Sequence, residues 1–266
     1  MIDPASTCLW IPSNLKKFKL DLFNRIGSHI QARGGSVIRG DIPQLVALPD
    51  SVTPIVGCNP ELREVLVEWK KRGRRRIQWD RGYARRIFAC WLPAATSGSG
   101  YYRWHVDAFQ LRKIRDLPPD RWDALKIPLS PWKKNGKHIV VAAPTPNYKE
   151  FHALGDWLEI TLRKLSKVTD RAVVVRQKDS NRPLQYDLEG AHAIVGNGSI
   201  AMTEAAVLGC PVFDHPESAA ALVGLTDLDQ IEKPIYPDRQ PWVNSLAYSQ
   251  FDERELIDGT LWKLLS

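Results

Sequence analysis

No stretch of about 18 apolar residues occurs in this 266-residue sequence, so no membrane-spanning helix is expected. The start, MIDPASTCLWIPSNLKK, has no basic segment leading into an apolar core, and a secretory leader is not expected either. Cysteine is scarce: Cys8, Cys58, Cys90 and Cys210 are scattered, with neither metal-ligand spacing nor the density of a disulfide scaffold. Buried free thiols in a reducing cytoplasm are the simplest reading. Internal repeats and low-complexity tracts are absent. The fingerprint Gly-x-Gly-x-x-Gly is incomplete, because Ala201 stands where its last glycine belongs, and the Walker A lysine is missing. Dinucleotide redox chemistry and P-loop phosphoryl transfer are therefore disfavoured.

What is present is an uneven distribution of charge. Residues 1–135 carry 24 Lys and Arg against 12 Asp and Glu, and residues 136–266 carry 13 against 18. The first half is thus net +12 and the second net −5. Such a division predicts two lobes, 1–135 and 136–266, with the first facing a polyanion, although basic residues can also simply solubilise a surface.

The patterning of each half is α/β. Strands are expected at CLWI (8–11), SVIRG (36–40), TPIVGC (53–58) and RRIQWDRGY (75–83). Between them, Leu15, Phe18, Leu22, Ile26 and Ile30 form one helical stripe that Gly34 and Gly35 close. A second helix follows Asn59 as cap and Pro60 at its first position. Residues 93–135 show no clean period and read as loops plus a connection. Alternation resumes with strands HIVVAAP, RAVVVRQ, AHAIVG and PVFDH, a helix over KEFHALGDWLEITLRKLSK and another over 199–208. An amphipathic tail, DERELIDGTLWKLL, ends the second lobe as a terminal helix. Strands alternating with helices predict doubly wound, largely parallel sheets.

Ligands of open α/β sheets sit at the carboxyl ends of the strands. At those ends the second half places Arg176 and Lys178, able to clamp a diphosphate, and the turn Asn197-Gly198-Ser199. Ser199 is the expected helix cap, and the amides at the helix start suit an anion. Thr203 and Glu204 lie one turn further in, and His215 follows the next strand. Glycine-serine turns before helices are common, and Glu204 or His215 could equally be solvated surface residues. Their placement along one sheet edge favours a ligand site.

These residues carry a family resemblance. GSIAMTEAAVLGCPVF (198–213) resembles the donor-binding signature of GT-B glycosyltransferases, and VVVRQK (173–178) is similar to the basic strand end that meets the nucleotide diphosphate in several of them, bacterial capsule transferases included. QWDRGYARR, YYRWHVDAFQ and the closing QPWVNSLAYSQFDERELIDGTLWKLL look like segments of uncharacterised phage-encoded proteins associated with this fold. The donor resemblance spans residues 138–215. It implies two Rossmann-like lobes of GT-B type with a cleft between them, an acceptor-binding first lobe and a donor-binding second lobe. It further implies a nucleotide-sugar substrate such as a UDP-sugar and no other cofactor. The sequence is read as having no Asp-x-Asp metal motif, which GT-B enzymes usually do without, and independence of metal is expected. Glu204 would bind the donor's hydroxyls, Asn197, Gly198, Ser199 and Thr203 its phosphates, while Arg176 and Lys178 would steady the leaving diphosphate. Asp80, at the end of the fourth strand, is the candidate base for the acceptor hydroxyl, beside Arg81. It could instead cap the turn at Gly82. His105 and Asp107 are reserves, and His29 reads as packing.

The acceptor follows from the basic half. Lys70, Lys71, Arg72, Arg74, Arg75, Arg76, Arg81, Arg85, Arg86 and Arg103 are interleaved with Trp69, Trp79, Trp91, Tyr101, Tyr102, Trp104 and Trp132. Cations for phosphates and rings for bases are the makings of a nucleic-acid surface. With it, the resemblance to phage-encoded proteins implies double-stranded DNA as partner and a hydroxymethylated pyrimidine as acceptor, in the cytoplasm of a bacterial host. Two alternatives stay open: an anionic glycan or lipid-linked acceptor, and a nucleic-acid-binding protein without catalysis. The same tryptophans could be core, and the basic run a helix end favoured by its dipole. The oligomeric state leaves no mark in the sequence.

Overall fold

A computed structural model describes residues 2–15, 17–83, 100–178 and 182–265. Arg85, Arg86, Cys90 and Trp91, named above, lie outside the described residues. The chain divides into two α/β units, as the alternation predicts.

In the first unit the strands β1 (Thr7–Ile11), β2 (Ser36–Arg39), β3 (Thr53–Gly57) and β4 (Ile77–Arg81) are parallel in the order β2-β1-β3-β4. The central strands β1 and β3 are buried at every position, which a parallel sheet covered on both faces requires. The helix Lys17–Gln31 buries Leu22, Phe23, Ile26 and Ile30 against them. It stops before Gly34, whose φ of 92° is the left-handed conformation of a helix end. Asn59 caps as predicted, but the first turn after it is a 3-10 turn, Pro60–Leu62, ahead of the helix Arg63–Lys71.

Two strands of this sheet were not foreseen. β5 (Tyr102–Val106) pairs antiparallel with β4, inside the stretch read as loops. β6 (His138–Ala142), β7 (Ala172–Arg176), β8 (Ala191–Val195) and β9 (Val212–Phe213) belong to the second unit, and then β10 (Gln250–Phe251) returns to pair with β5. The segment after residue 247 therefore belongs to the first unit, not to the second lobe that the charge pattern assigned it to. Its Leu256, Leu261, Trp262 and Leu265 enter the first unit's core. Only Thr260–Leu264 of it is helical.

The second unit is a four-stranded parallel sheet, β7-β6-β8-β9, the same order as the parallel part of the first. Ile139, Val141, Ala193, Val195 and Phe213 form its core with Leu165 from the helix Trp157–Val168. The single helix expected over 149–167 is broken in two, Pro146–His152 and Trp157–Val168, by positive φ values at Ala153 and Gly155. The chain leaves β6 for β7 on one side and returns to β8 on the other. This reversal opens a crevice at the carboxyl ends of β6 and β8.

Candidate functional site

The turn after β8 occupies that crevice. Gly196 is packed so tightly on Met202 that a Cβ would stand 2.3 Å from its sulfur, and Gly198 has φ of 68°. Ser199 opens the helix Ile200–Val207 and accepts the Ala201 amide on its Oγ at 3.3 Å, so the predicted cap is present. Met202 donates to the Ser199 carbonyl at 3.0 Å. The first amides of a helix have no acceptors within it. Among the described residues, those of Ser199 and Ile200 meet no protein acceptor.

Asp214, immediately after β9, was not singled out in the sequence. It is buried, and its Oδ1 accepts the amides of Gly198 at 2.6 Å and His215 at 2.8 Å, while Oδ2 accepts the Ser218 hydroxyl. Burial pushes its carboxyl up to about 6, against the lowering effect of these three hydrogen bonds. One of its partners, the Gly198 amide, lies 16 positions upstream and leaves no trace in composition. The only available signal was an acid directly after a strand at the ligand edge.

The other expected donor residues are distributed unevenly. Glu204 is half-buried one turn into the helix, and Asn197 is half-buried in the turn. Thr203, one residue before Glu204, faces the other way and is fully buried. His215 is exposed, with Nδ1 accepting the Glu217 amide at 3.1 Å. Arg176 ends β7 as predicted but is ion-paired with Asp187 and donates to the Arg182 carbonyl at 2.7 Å. Lys178 beyond it is exposed. Thr145 caps the helix that follows β6, on the opposite side of the crevice.

In the first unit Asp80 lies at the carboxyl end of β4, where its Oδ2 meets Arg103 Nη2 at 2.9 Å. Arg103 is buried between the rings of Tyr83 and Phe109, at 5.4 and 4.7 Å, while a third of the Asp80 side chain is exposed. His105 is buried, with Nε2 2.9 Å from the Tyr83 hydroxyl. Asp107 serves the backbone: its Oδ1 accepts the Arg76 amide at 2.8 Å.

The basic run is divided between side chains that the fold engages and side chains that stay exposed. Arg72 pairs with Glu68 at 2.6 Å, and Arg74 pairs with Asp50 at 2.7 Å while lying over Trp69. Arg76 is buried and donates to Gln78 at 3.2 Å. Lys70, Lys71, Arg75 and Arg81 are exposed. Trp69, Trp79, Tyr102 and Trp104, expected as stacking rings, are buried instead, three of them in the core of the first unit. Trp132 is half-buried beneath Arg239, 3.8 Å from its ring centroid, and donates to the Pro237 carbonyl at 2.8 Å.

One Asp-x-Asp spacing does occur, Asp227-Leu228-Asp229, contrary to the reading of the sequence. Both carboxylates pair with Lys164, at 3.3 and 3.1 Å. Among the described residues no group of three His, Cys, Asp or Glu is placed to hold a metal ion, and no helix is long and apolar enough to cross a membrane.

The fold defines a protein of two Rossmann-like units. Among solved structures, the chain is similar to KpsC of Thermosulfurimonas dismutans, a beta Kdo 2,7 transferase, with a TM-score of 0.57. The likeness covers 98% of each chain at 13% identity and establishes a shared fold. No family model matches the chain, and no curated protein does.

Proposed function

We propose that this protein is a glycosyltransferase that moves a sugar from a nucleotide-activated donor to a hydroxyl of an anionic glycan. The observation that carries the reading is the Gly196–Ser199 turn in the crevice between β6 and β8, with two amides left for an anion and Glu204 one turn beyond. A dipolar helix start favours a phosphate. A half-buried carboxylate at that distance suits the hydroxyls of a ribose or sugar. The end-to-end likeness in fold to a Kdo transferase supports sugar transfer, and an acidic sugar as part of donor or acceptor.

In the reaction, the acceptor oxygen bonds to the anomeric carbon as the bond to the nucleotide phosphate breaks. Lys178 lies at the strand end beside the crevice and would balance charge on the leaving group. Arg176 would contribute through the same edge only by sharing its bond to Asp187. Asp80 would take the acceptor's proton.

A glycan acceptor is favoured over DNA by the packing of the aromatics. A base-stacking surface needs exposed rings. Trp69, Trp79, Tyr102 and Trp104 are buried, and Arg74, Arg76 and Arg103 are engaged within the fold.

The test is to incubate the protein with a panel of nucleotide sugars, including ones carrying acidic sugars, and with either anionic oligosaccharides or hydroxymethylated duplex DNA. Products are weighed by mass spectrometry. Transfer to the oligosaccharides is expected. Transfer to DNA would reinstate the nucleic-acid acceptor, and no turnover of any donor would remove the transferase reading.

A further inference from the structure

The most deeply buried carboxylate described in the second unit has no part in the transfer chemistry itself. Asp214 is 4% exposed, and among the described residues no cation pairs with it. Burying a charge without a counter-ion costs free energy, so the fold has a use for it or compensates elsewhere. What it grips is specific. Its Oδ1 takes the Gly198 amide, 16 positions upstream, and the neighbouring His215 amide. Its Oδ2 takes the Ser218 hydroxyl, whose oxygen in turn accepts the Ala220 amide at 3.1 Å. The turn after β8 is thereby tied to the loop after β9 through one side chain.

We propose that Asp214 is the positioning residue of the donor site, holding the Gly196–Ser199 turn so that the Ser199 and Ile200 amides are presented in one orientation. The inference rests on the donor reading above. Acceptor geometry, not charge, is what the turn uses, because a carboxylate close to a phosphate repels it. Asparagine separates the two. Its Oδ1 can accept both amides, and its side-chain nitrogen can donate to the Ser218 oxygen. Alanine removes every bond.

The experiment compares the wild-type protein with Asp214→Asn and Asp214→Ala by amide hydrogen exchange and by calorimetric titration with UDP, GDP and CMP. Exchange in residues 196–202 should quicken at least tenfold in the alanine variant while β6 and β8 stay unchanged, and its nucleotide Kd should rise at least tenfold. Asp214→Asn should keep both within threefold of wild type. If the alanine variant fails to fold, Ser218→Ala, which removes one bond of the three, should show the same pattern at two- to fivefold. Unchanged exchange in the turn, or asparagine as damaging as alanine, overturns the positioning role whatever binds. Quickened exchange in a protein that binds no nucleotide even as wild type overturns the donor reading, and the positioning of a donor falls with it.

Discussion

Asp80 and Arg103 are register partners on the antiparallel strands β4 and β5, and their side chains meet at 2.9 Å with very unequal burial. The guanidinium is 2% exposed and the carboxylate 33%. Among the described residues, Nε and Nη1 of Arg103 have no acceptor, so Asp80 is what compensates the buried cation. The two truncations should differ. Asp80→Ala strands a buried charge and should cost about 3 kcal/mol, whereas Arg103→Met leaves a carboxylate that can turn to water and should cost about 1 kcal/mol. Urea unfolding of the two variants measures the difference, and equal losses would contradict it.

Asp80→Asn addresses chemistry instead of stability. At a temperature where the variant is folded, it should lower kcat at least tenfold while the KM for the donor stays within threefold, because a proton acceptor acts in the transition state. An unchanged kcat would take Asp80 out of the reaction.

Glu204→Gln should raise the donor's KM at least tenfold through loss of an acceptor for its hydroxyls. The side chain is only half-buried, so stability should change by less than about 0.5 kcal/mol. Donor titration and thermal unfolding on the same sample separate the two effects.

Asp214 gives stability a pH dependence of known sign. Its folded value, about 6, lies above the ordinary 3.8, so between those values the folded state binds the proton more tightly than the unfolded one. The resulting stabilisation is complete below about 3.8 and is lost as pH rises through about 6. Asp214→Asn has no such titration. On going from pH 4 to pH 7 the wild type should lose stability relative to that variant, by at most about 3 kcal/mol. Denaturant midpoints at several pH values supply the measurement.

The basic run should divide by burial. The Arg74 side chain is 10% exposed, pairs with Asp50, donates to the Leu48 carbonyl at 2.8 Å and covers Trp69. Arg74→Ala should cost about 1–2 kcal/mol. Charge reversal at exposed Lys71 and Arg75 should change stability by less than about 0.5 kcal/mol and leave transfer to a glycan within threefold. A large fall in duplex DNA affinity with a flatter salt dependence would instead make that run a nucleic-acid surface.

Much of the fold was legible because parallel α/β units write themselves as alternating apolar strands and amphipathic helices. β1, β3, β6 and β8 are mostly apolar runs, and Ser199 announces its helix. β5 was missed although Tyr102-Arg103-Trp104-His105-Val106 alternates apolar and polar residues as a strand does: the run is five residues long within a stretch rich in Pro, Gly and Ser, and its polar positions Arg103 and His105 are buried instead of marking a solvent face. β10 is two residues long and carries no pattern at all. At the site, residue types adjacent in sequence could be assembled into a turn and helix, but two of the three Asp214 bonds reach backbone amides, which every residue but proline possesses. The tryptophans show the same limit from the other side, since a ring's chemistry is identical whether it stacks on a base or fills a core.

The return of β10 to β5 has a consequence for the order of events in a growing polypeptide. These partners are divided by residues 111–247, so the first sheet gains its edge strand only after that stretch has been made. Leu256, Leu261, Trp262 and Leu265 arrive later still, each worth about 2 kcal/mol on burial, a sum comparable with a domain's whole net stability. Distant pairings of this kind close slowly. The first unit thus cannot complete its sheet or its core until residues 111–247 have been made.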